Sequence, residues 1–268
     1  MHEFTLFQCA LPTTTTHSQN LDIVHLFGDY GTYIMERIVR IDGYSLPISK
    51  STKLGQGLVS KVYLGEQITS KNPVAVKVID YPDDDEFYKY LRGEVEILRS
   101  VKHDNIIKLF HHTWADNALL LFLEYCPLGD LSQYLRNNPK PDDTELLSYF
   151  LDCANALDYL HHSSIMHRDL KPQNILVTDY KESKRLKLTD FGFSKITDQN
   201  VSSFVGTYDY IAPEMWKLVE GRRQYGFPSD IFSLGVVMEA MIAHEPPSSV
   251  QPLRGEYIFF TISYITHR

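Results

Sequence analysis

The chain has 268 residues, of which 43% are hydrophobic, so it is long enough to bury a large core and disorder is not expected. Its formal net charge of -8 argues against a partner with a phosphate backbone, and we expect no nucleic-acid binding. Cys9, Cys126 and Cys153 are scattered without a CxxC pair, so neither a zinc site nor a disulfide framework is predicted, and a reducing cytoplasm fits best.

No segment predicts a membrane anchor. The amino terminus lacks the basic and apolar parts of a signal peptide. The longest apolar run, Ile231 to Ala243, is interrupted by Ser233 and Glu239, and its length of about 13 residues is typical of a buried core helix. We therefore expect a cytoplasmic protein without direct membrane insertion.

The first half of the chain changes character at about residue 44. Residues 1 to 43 include a threonine tract and no strong period, and are interpreted as an extension of unknown structure. From residue 44, short β-branched runs between glycine-rich or Asn-Pro turns predict a strand meander, which begins a unit over residues 44 to 126. That unit continues with an amphipathic helix over Phe87 to Val101 and a strand over Leu119 to Tyr125.

Residues 127 to 268 are mostly helical by the same criteria. Helices are predicted over Asp130 to Asn137 and Glu145 to His162, and short strands over Ile175 to Val177 and Leu186 to Leu188. A small β-rich part is thus joined to a larger helical part through a hinge near residues 124 to 128. We expect the chemistry to lie in the cleft between the two parts.

Two patterns in the β-rich part suit phosphate binding. Gly55-Gln56-Gly57 opens a GxGxxSxV run whose glycines let the backbone approach phosphate oxygens, although such hairpins are more often only turns. Lys77 ends the run Val-Ala-Val-Lys inside an apolar strand, where an unpaired cation is costly. Its predicted partner is Glu94 on the following helix, and Glu86 and Glu96 are less favoured. An exposed surface pair is the competing interpretation.

The helical part contains the run His167-Arg168-Asp169-Leu170-Lys171-Pro172-Gln173-Asn174, followed by Asp190-Phe191-Gly192. With Val-Ala-Val-Lys, Ala212-Pro213-Glu214 and the run Ser229 to Gly235, these segments resemble the motifs of protein kinases, in the family's order and at its usual intervals, over about residues 44 to 247. The resemblance implies an α+β, bilobal protein kinase fold. It also implies ATP and Mg²⁺ as cofactors and proteins as substrates.

The resemblance assigns a role to each chemical element of phosphoryl transfer, which needs an oriented hydroxyl, neutralising metals and clamped phosphates. Asp169 would orient the substrate hydroxyl, and Asn174 and Asp190 would supply oxygen ligands for Mg²⁺. Lys77 would hold the α and β phosphates. Lys171 would reach the γ-phosphate, and its place after Asp-Leu is typical of the serine/threonine form of the family. Solvated loop acids are the competing interpretation.

The adenine is expected in an apolar slot beside the hinge. The resemblance places Ala75, Val62 and Leu176 against its faces and the backbone of residues 124 to 126 at its edge, with Leu123 at the back of the pocket. The residues predicted to contact the nucleotide are Leu54, Gly55, Gln56, Gly57, Val62, Ala75, Lys77, Glu124, Cys126 and Leu176.

The resemblance also implies internal support for the site. Leu98, Leu109, His167 and Phe191 occupy the positions of the family's hydrophobic stack, and Asp230 would anchor that stack. Each of these residues equally suits an ordinary core.

Regulation is expected on the loop between Asp190 and Glu214. Arg168 precedes the predicted catalytic aspartate, and an arginine there is often paired with a phosphate on this loop. Ser203 is the predicted phosphorylated residue, with Ser202 as the alternative and unmodified loop serines as the simpler interpretation. A regulatory partner is compatible with this pattern.

The subgroup and the completeness of the domain stay open at this point. Residues 124 to 131, 167 to 176 and 190 to 193 resemble autophagy-initiating kinases of the unc-51-like group, whereas residues 214 to 226 resemble the IκB-kinase-related group. After residue 247 the family continues through helices that residues 248 to 268 do not match, so we expect a truncated C-terminal lobe and marginal stability. A catalytically weak or idle kinase-fold scaffold is therefore the alternative function. A small-molecule phosphotransferase is disfavoured because residues 206 to 214 resemble a peptide-docking segment.

Overall fold

The N-terminal part of the chain is a curved sheet of seven strands. The computed structural model describes residues 37–57, 59–81, 84–115, 118–181, 183–192, 194–196, 206–213 and 226–244. The strands are β1 (Arg37–Ile41), β2 (Tyr44–Ile48), β3 (Lys53–Gln56), β4 (Ser60–Gln67), β5 (Pro73–Asp80), β6 (Leu109–Ala115) and β7 (Ala118–Glu124). They pair antiparallel in the order β1-β2-β4-β5-β7-β6, and β3 pairs with β4.

Strand β7 is apolar from Ala118 to Leu123 because both of its faces are covered. Leu119, Leu121 and Leu123 belong to the main core, whereas Leu120 and Phe122 pack into a second core on the opposite face of the sheet. Successive side chains of a strand point to opposite faces, so an uninterrupted apolar run serves two cores at once. The predicted strand over Leu119 to Tyr125 is confirmed.

Strand β1 lies inside the stretch that the sequence left without predicted structure. It joins β2 through Asp42 and Gly43, whose φ angles are 48° and 85°. Two consecutive positive φ angles at an Asp-Gly pair are the signature of a tight hairpin turn. Val39 then packs beside Leu46 in the second core, so the sheet begins at Arg37, while residues 1–36 lie outside the described residues.

The remaining elements include four helices and four short strands in the described residues. The helices are α1 (Asp85–Ser100), α2 (Leu131–Asn137), α3 (Asp143–His162) and α4 (Pro228–Ala243). The strands are β8 (Ile165–Met166), β9 (Ile175–Tyr180), β10 (Ser183–Leu188) and β11 (Lys195–Ile196), and 3₁₀ turns cover Pro172–Asn174 and Tyr208–Tyr210. None of the helices in the described part of the chain is both long enough and apolar enough to cross a bilayer.

Aspartates fix where three of the helices begin. Asp84 accepts hydrogen bonds from the backbone of the first turn of α1, and Asp130 does the same for α2. Asp142 and Glu145 form a reciprocal capping box at the start of α3. These side chains satisfy backbone N–H groups that have no partner within the helix, and for that reason α1 and α3 begin two residues before their predicted starts.

One continuous core joins the sheet to the helices. It contains the buried face of α1, the inner face of β7 and the buried sides of α3 and α4. The two-part α+β architecture and the predicted helices are thereby confirmed. The expectation of a C-terminal lobe that ends after about residue 247 concerns residues outside those described.

Helix α3 offers a matched test of this core. Leu157 is fully buried, whereas Leu147 on the same helix is 57% exposed. Leu157→Ala should lower the free energy of unfolding by about 2–5 kcal/mol because it leaves a cavity, and Leu147→Ala by less than about 0.5 kcal/mol. Urea denaturation of both variants measures the difference, and equal losses would contradict the assigned burial.

Candidate active site

A cavity of about 940 Å³ lies between the sheet and the helices, a volume that suits a nucleotide-sized ligand. The structure brings all ten predicted nucleotide-contacting residues to its wall, namely Leu54, Gly55, Gln56, Gly57, Val62, Ala75, Lys77, Glu124, Cys126 and Leu176. Glu94, Lys171, Asn174 and Asp190 line the same cavity.

The glycine-rich turn between β3 and β4 forms one edge of the cavity. The Gly57 backbone N–H donates to the Ser60 carbonyl at 2.8 Å, which closes the turn. A Cβ on Gly57 would lie 2.9 Å from Ser60 Oγ, so a larger residue there would displace the Ser60 hydroxyl, whereas the space beside Gly55 is open. The backbone of Gly55 and Gly57 can therefore approach a phosphate without an intervening side chain.

An apolar slot lies deeper, next to the hinge. Val62 and Ala75 come from the sheet, Leu176 comes from β9, and Leu123 closes the back of the slot. Burial raises the pKa of Cys126 to about 12, so its thiol stays protonated and is a poor nucleophile. The slot is thus suited to hold a planar apolar group rather than to react with it.

Lys77 lies at the centre of a three-residue ion cluster. Its Nζ donates to Glu94 Oε1 and to Asp190 Oδ1, each at 2.9 Å. The Glu94 side chain is 3% exposed, the Lys77 side chain 15% and the Asp190 side chain 46%. The structure therefore places Glu94 at Lys77, while Glu86 and Glu96 point to solvent.

This cluster keeps Lys77 and Asp190 charged. Burial alone would lower the pKa of Lys77, but Glu94 and Asp190 outweigh it and the pKa lies above its ordinary value. Lys77 in turn lowers the pKa of Asp190, against the opposing effect of burial. Asp190 is thus an ionised carboxylate that faces the cavity, the form in which it can bind a cation.

Asp169 is held by a network that orients both of its carboxylate oxygens. Asn174 Nδ2 and Lys171 Nζ each donate to Asp169 Oδ2 at 2.8 Å, and Thr207 Oγ1 donates to Asp169 Oδ1 at 2.8 Å. Lys171 Nζ also lies 2.6 Å from Thr207 Oγ1. The role of the Thr207 hydroxyl was not predicted, although Thr207 lies in a segment that was. Its position directly after Gly206 was the only local sequence signal for this role.

Asn174 and Asp190 fit a magnesium ion by the chemistry of their free oxygens. The Asn174 amide directs its N–H₂ end at the Asp169 carbonyl and carboxylate, so its carbonyl oxygen is the end left to bind a cation. Asp190 contributes an ionised carboxylate. In the described residues no group of three or more His, Cys, Asp or Glu side chains could hold a metal. Mg²⁺ commonly binds through one or two carboxylates together with phosphates.

A buried carboxylate anchors the segment before Asp169. Asp230, 1% exposed, accepts from the backbone N–H of His167 at 2.9 Å and of Arg168 at 2.8 Å, and His161 Nε2 lies 2.9 Å from it. Arg168 has a φ of 69°, a left-handed conformation that costs energy in a non-glycine residue. Asp230 thus stabilises a strained backbone. The contact of His161 with Asp230 was not predicted from the sequence.

Phe191 contacts one member of the predicted hydrophobic stack, and the other members belong to or border the same core. The rings of His167 and Phe191 lie 5.2 Å apart, and Leu98 is buried in the same core. Leu109 packs against that core but is only partly buried.

The loop that follows Asp190 returns to Arg168 through Gly206. Gly206 has a φ of 113°, and a Cβ there would lie 2.7 Å from the Arg168 carbonyl oxygen. The close approach brings Thr207 to Asp169 and requires glycine. Ser202, Ser203 and Glu214 lie outside the described residues.

Comparison with known proteins gives the family. A family model of the protein kinase domain matches residues 48–259. The chain is 33% identical to the serine/threonine-protein kinase atg1 of Dictyostelium discoideum, over 72% of this chain and 30% of that protein. It is 34% identical to the Aurora kinase of Schizosaccharomyces pombe and to the human cAMP-dependent protein kinase catalytic subunit PRKX, over 72% of this chain and 54% and 53% of theirs.

The chain therefore belongs to the protein kinase family, and it is a protein kinase domain of the serine/threonine type. It spans between about a third and about half of the length of these relatives. Relatives from different groups match it at nearly equal identity, so the subgroup stays open between the two predicted groups.

Asp230→Asn should uncouple the catalytic segment from α4. An amide has one accepting oxygen, whereas the carboxylate accepts hydrogen bonds at both of its oxygens. The free energy of unfolding should therefore fall by about 3 kcal/mol at neutral pH. Burial raises the pKa of Asp230, but the His161 hydrogen bond and nearby histidine charges outweigh it, so folding lowers this pKa. The stabilisation is complete above about pH 5 and is lost as the pH falls through the folded pKa.

Denaturant titrations between pH 3 and pH 7 measure this dependence. The stability of the Asp230→Asn variant should change less with acid than that of the wild type, because its residue 230 does not titrate. Asp158→Asn, on an exposed aspartate of α3, is the control and should keep the wild-type profile. Parallel acid profiles for wild type and Asp230→Asn would contradict the pKa shift.

Proposed function

We propose that this domain transfers the γ-phosphoryl group of MgATP to serine or threonine hydroxyls of protein substrates. The observation that carries the proposal is the Lys77–Glu94–Asp190 cluster at the cavity, together with the carboxylate of Asp169, which is oriented by Lys171 and Asn174 from the wall of that cavity. The first arrangement suits bound phosphates and a cation, and the second suits an incoming hydroxyl. Phosphoryl transfer depends chiefly on such positioning and charge stabilisation.

Lys77 would bind the α and β phosphates. Its ammonium group is already held between two carboxylates, so it enters the complex with its charge and direction set. Glu94 stays buried and keeps Lys77 from turning towards Asp190 alone. A phosphate can then bind without the reorganisation that a mobile lysine would need.

Asn174 and Asp190 would hold magnesium, which when bound neutralises negative charge on the β and γ phosphates. Asp190 directly follows Thr189, whose backbone N–H donates to the backbone carbonyl of Asn174 at 3.0 Å. This bond ties the turn after Lys171 to the segment that carries Asp190. The ligand pair is thereby kept at fixed separation before any cation arrives.

Asp169 would accept or orient the proton of the substrate hydroxyl. Its contacts with Asn174, Lys171 and Thr207 point the carboxylate in one direction. Lys171 lies close enough to Asp169 to stabilise charge on the γ-phosphate beside the incoming oxygen. The Thr207–Lys171 contact adds support for the serine/threonine type, because it joins the segment after Gly206 to the proposed catalytic residues.

A catalytically idle scaffold is the second candidate. The complete charge cluster counts against it, because a buried ion pair is costly to maintain and seldom increases stability. We further propose a cytoplasmic location, which the free thiols of Cys126 and Cys153 support. A regulatory partner is compatible with both candidates.

Replacement of the two aspartates separates these candidates. Asp169→Asn and Asp190→Ala should each lower the turnover number by about 10²- to 10⁴-fold, because they remove the oriented base and a magnesium ligand. Both variants should unfold at nearly the wild-type temperature. Peptide-array phosphorylation with radiolabelled ATP finds a substrate, and steady-state rates on that peptide give the effect.

Asp179→Asn, on an aspartate whose side chain is 51% exposed, is the matched control and should leave the rate unchanged. Near-wild-type turnover in Asp169→Asn would contradict the catalytic assignment. A wild-type protein that binds MgATP but phosphorylates no peptide would favour the scaffold.

Phosphorylation of Ser203, or alternatively Ser202, is proposed to activate the domain through Arg168. A dianionic phosphate near this guanidinium would pair residue 203 with the segment that carries Asp169. Phosphatase treatment, and the double variant Ser202→Ala/Ser203→Ala, should lower activity about tenfold. Phosphopeptide mass spectrometry identifies the site.

Ser70→Ala, in an exposed turn of the sheet, is the control for loss of a serine hydroxyl. Equal rates before and after complete dephosphorylation would show that Arg168 needs no phosphate.

A further inference from the structure

Tyr90 extends from helix α1 to the Asp190-Phe191-Gly192 turn. It lies one helical turn before Glu94 and on the same face of the helix. Its side chain is 40% exposed, but its hydroxyl lies beside Gly192. A Cβ on Gly192 would be 3.0 Å from Tyr90 Oη, 3.4 Å from Asp190 Oδ1 and 3.6 Å from Glu94 Oε2. Three oxygen atoms from two elements thus surround one point.

The Tyr90 phenol is compatible with these carboxylates because it stays protonated. Burial, followed by the negative charges of Glu94 and Asp190, raises the pKa of Tyr90 to about 12. A protonated phenol has one hydrogen to donate, and ionised carboxylates only accept. Tyr90 therefore adds a donor beside Glu94 and Asp190 without adding charge.

Space, rather than backbone conformation, restricts residue 192. The glycines with positive φ in the described residues are Gly43, Gly129 and Gly206, and Gly192 is not among them. Its backbone is thus open to other residues. The nearest obstacle to a side chain is the Tyr90 hydroxyl, which would have to move by a few tenths of an ångström to admit even a methyl group.

We propose that Tyr90 is a positioning residue that keeps helix α1 in register with the Asp190-Phe191-Gly192 turn. The proposal rests on the roles proposed above for Glu94 and Asp190. Because Tyr90 and Glu94 belong to one rigid helix, a movement of α1 takes both away from the turn together.

A double-mutant cycle tests the contact. Gly192→Ala should lower kcat/KM and the Mg²⁺-dependent part of the ATP affinity by about tenfold, because the added methyl group meets Tyr90 Oη. Tyr90→Phe removes that oxygen together with its support of the turn, and should by itself lower both quantities by about threefold to tenfold. In the Tyr90→Phe background, Gly192→Ala should then cost less than about threefold. ATP affinity is measured by calorimetry with and without Mg²⁺.

Tyr88→Phe is the matched control on the same helix, because the Tyr88 ring packs against Tyr81 and Trp114, away from the turn. It should give no rescue of Gly192→Ala. Equal losses from Gly192→Ala in the wild-type and Tyr90→Phe backgrounds, or equal rescue by Tyr88→Phe, would overturn the proposal.

The affinity readout keeps the test independent of catalysis. A wild-type protein without phosphotransfer would refute the proposed function, while the cycle would still be measured in Mg²⁺-dependent ATP affinity. Should Gly192→Ala fail to fold in thermal unfolding assays, Tyr90→Ala supplies the second test. Like Tyr90→Phe, it should weaken the Mg²⁺-dependent affinity, by about tenfold. An affinity equal to that of the wild type in Tyr90→Ala would overturn the proposal.

Discussion

The buried charge of Lys77 is the constraint on which the rest of the site depends. A cation on a central strand, with a side chain that is 15% exposed, is stable only when anions from elsewhere meet it. Those anions come from two different elements, Glu94 from α1 and Asp190 from the segment after β10. Strand, helix and turn are therefore fixed relative to one another by a single ammonium group.

In the helical part, Asp230 holds the catalytic segment, which has no regular secondary structure. The catalytic segment cannot use regular secondary structure, because Arg168 adopts a left-handed conformation. The backbone N–H groups of His167 and Arg168 instead donate to the Asp230 carboxylate at the start of α4, a helix that is buried in the core. The network around Asp169 is thus built on a rigid support, which is what an oriented catalytic carboxylate needs.

Much of this arrangement could be predicted from the sequence because its signals are local. A lysine in an apolar run and a glutamate on the inner face of the next helix already indicate an ion pair, and the aspartate caps show where helices begin. The β1–β2 hairpin also had a local signal, the Asp42-Gly43 turn. Thr207 and His161 had almost none, because their partners are 38 and 69 positions away along the chain.

The exposure of its members shows that the ion cluster indicates function rather than stability. Apolar residues of similar volume often stabilise a core as well as a buried ion pair does, or better, because they avoid the desolvation of charges. Glu94 is almost completely buried, yet Asp190 is half exposed to the cavity, so one end of the cluster is sealed and the other is open. A purely structural pair gains nothing from an open end. A cluster that must exchange one of its contacts for phosphate and a cation requires one.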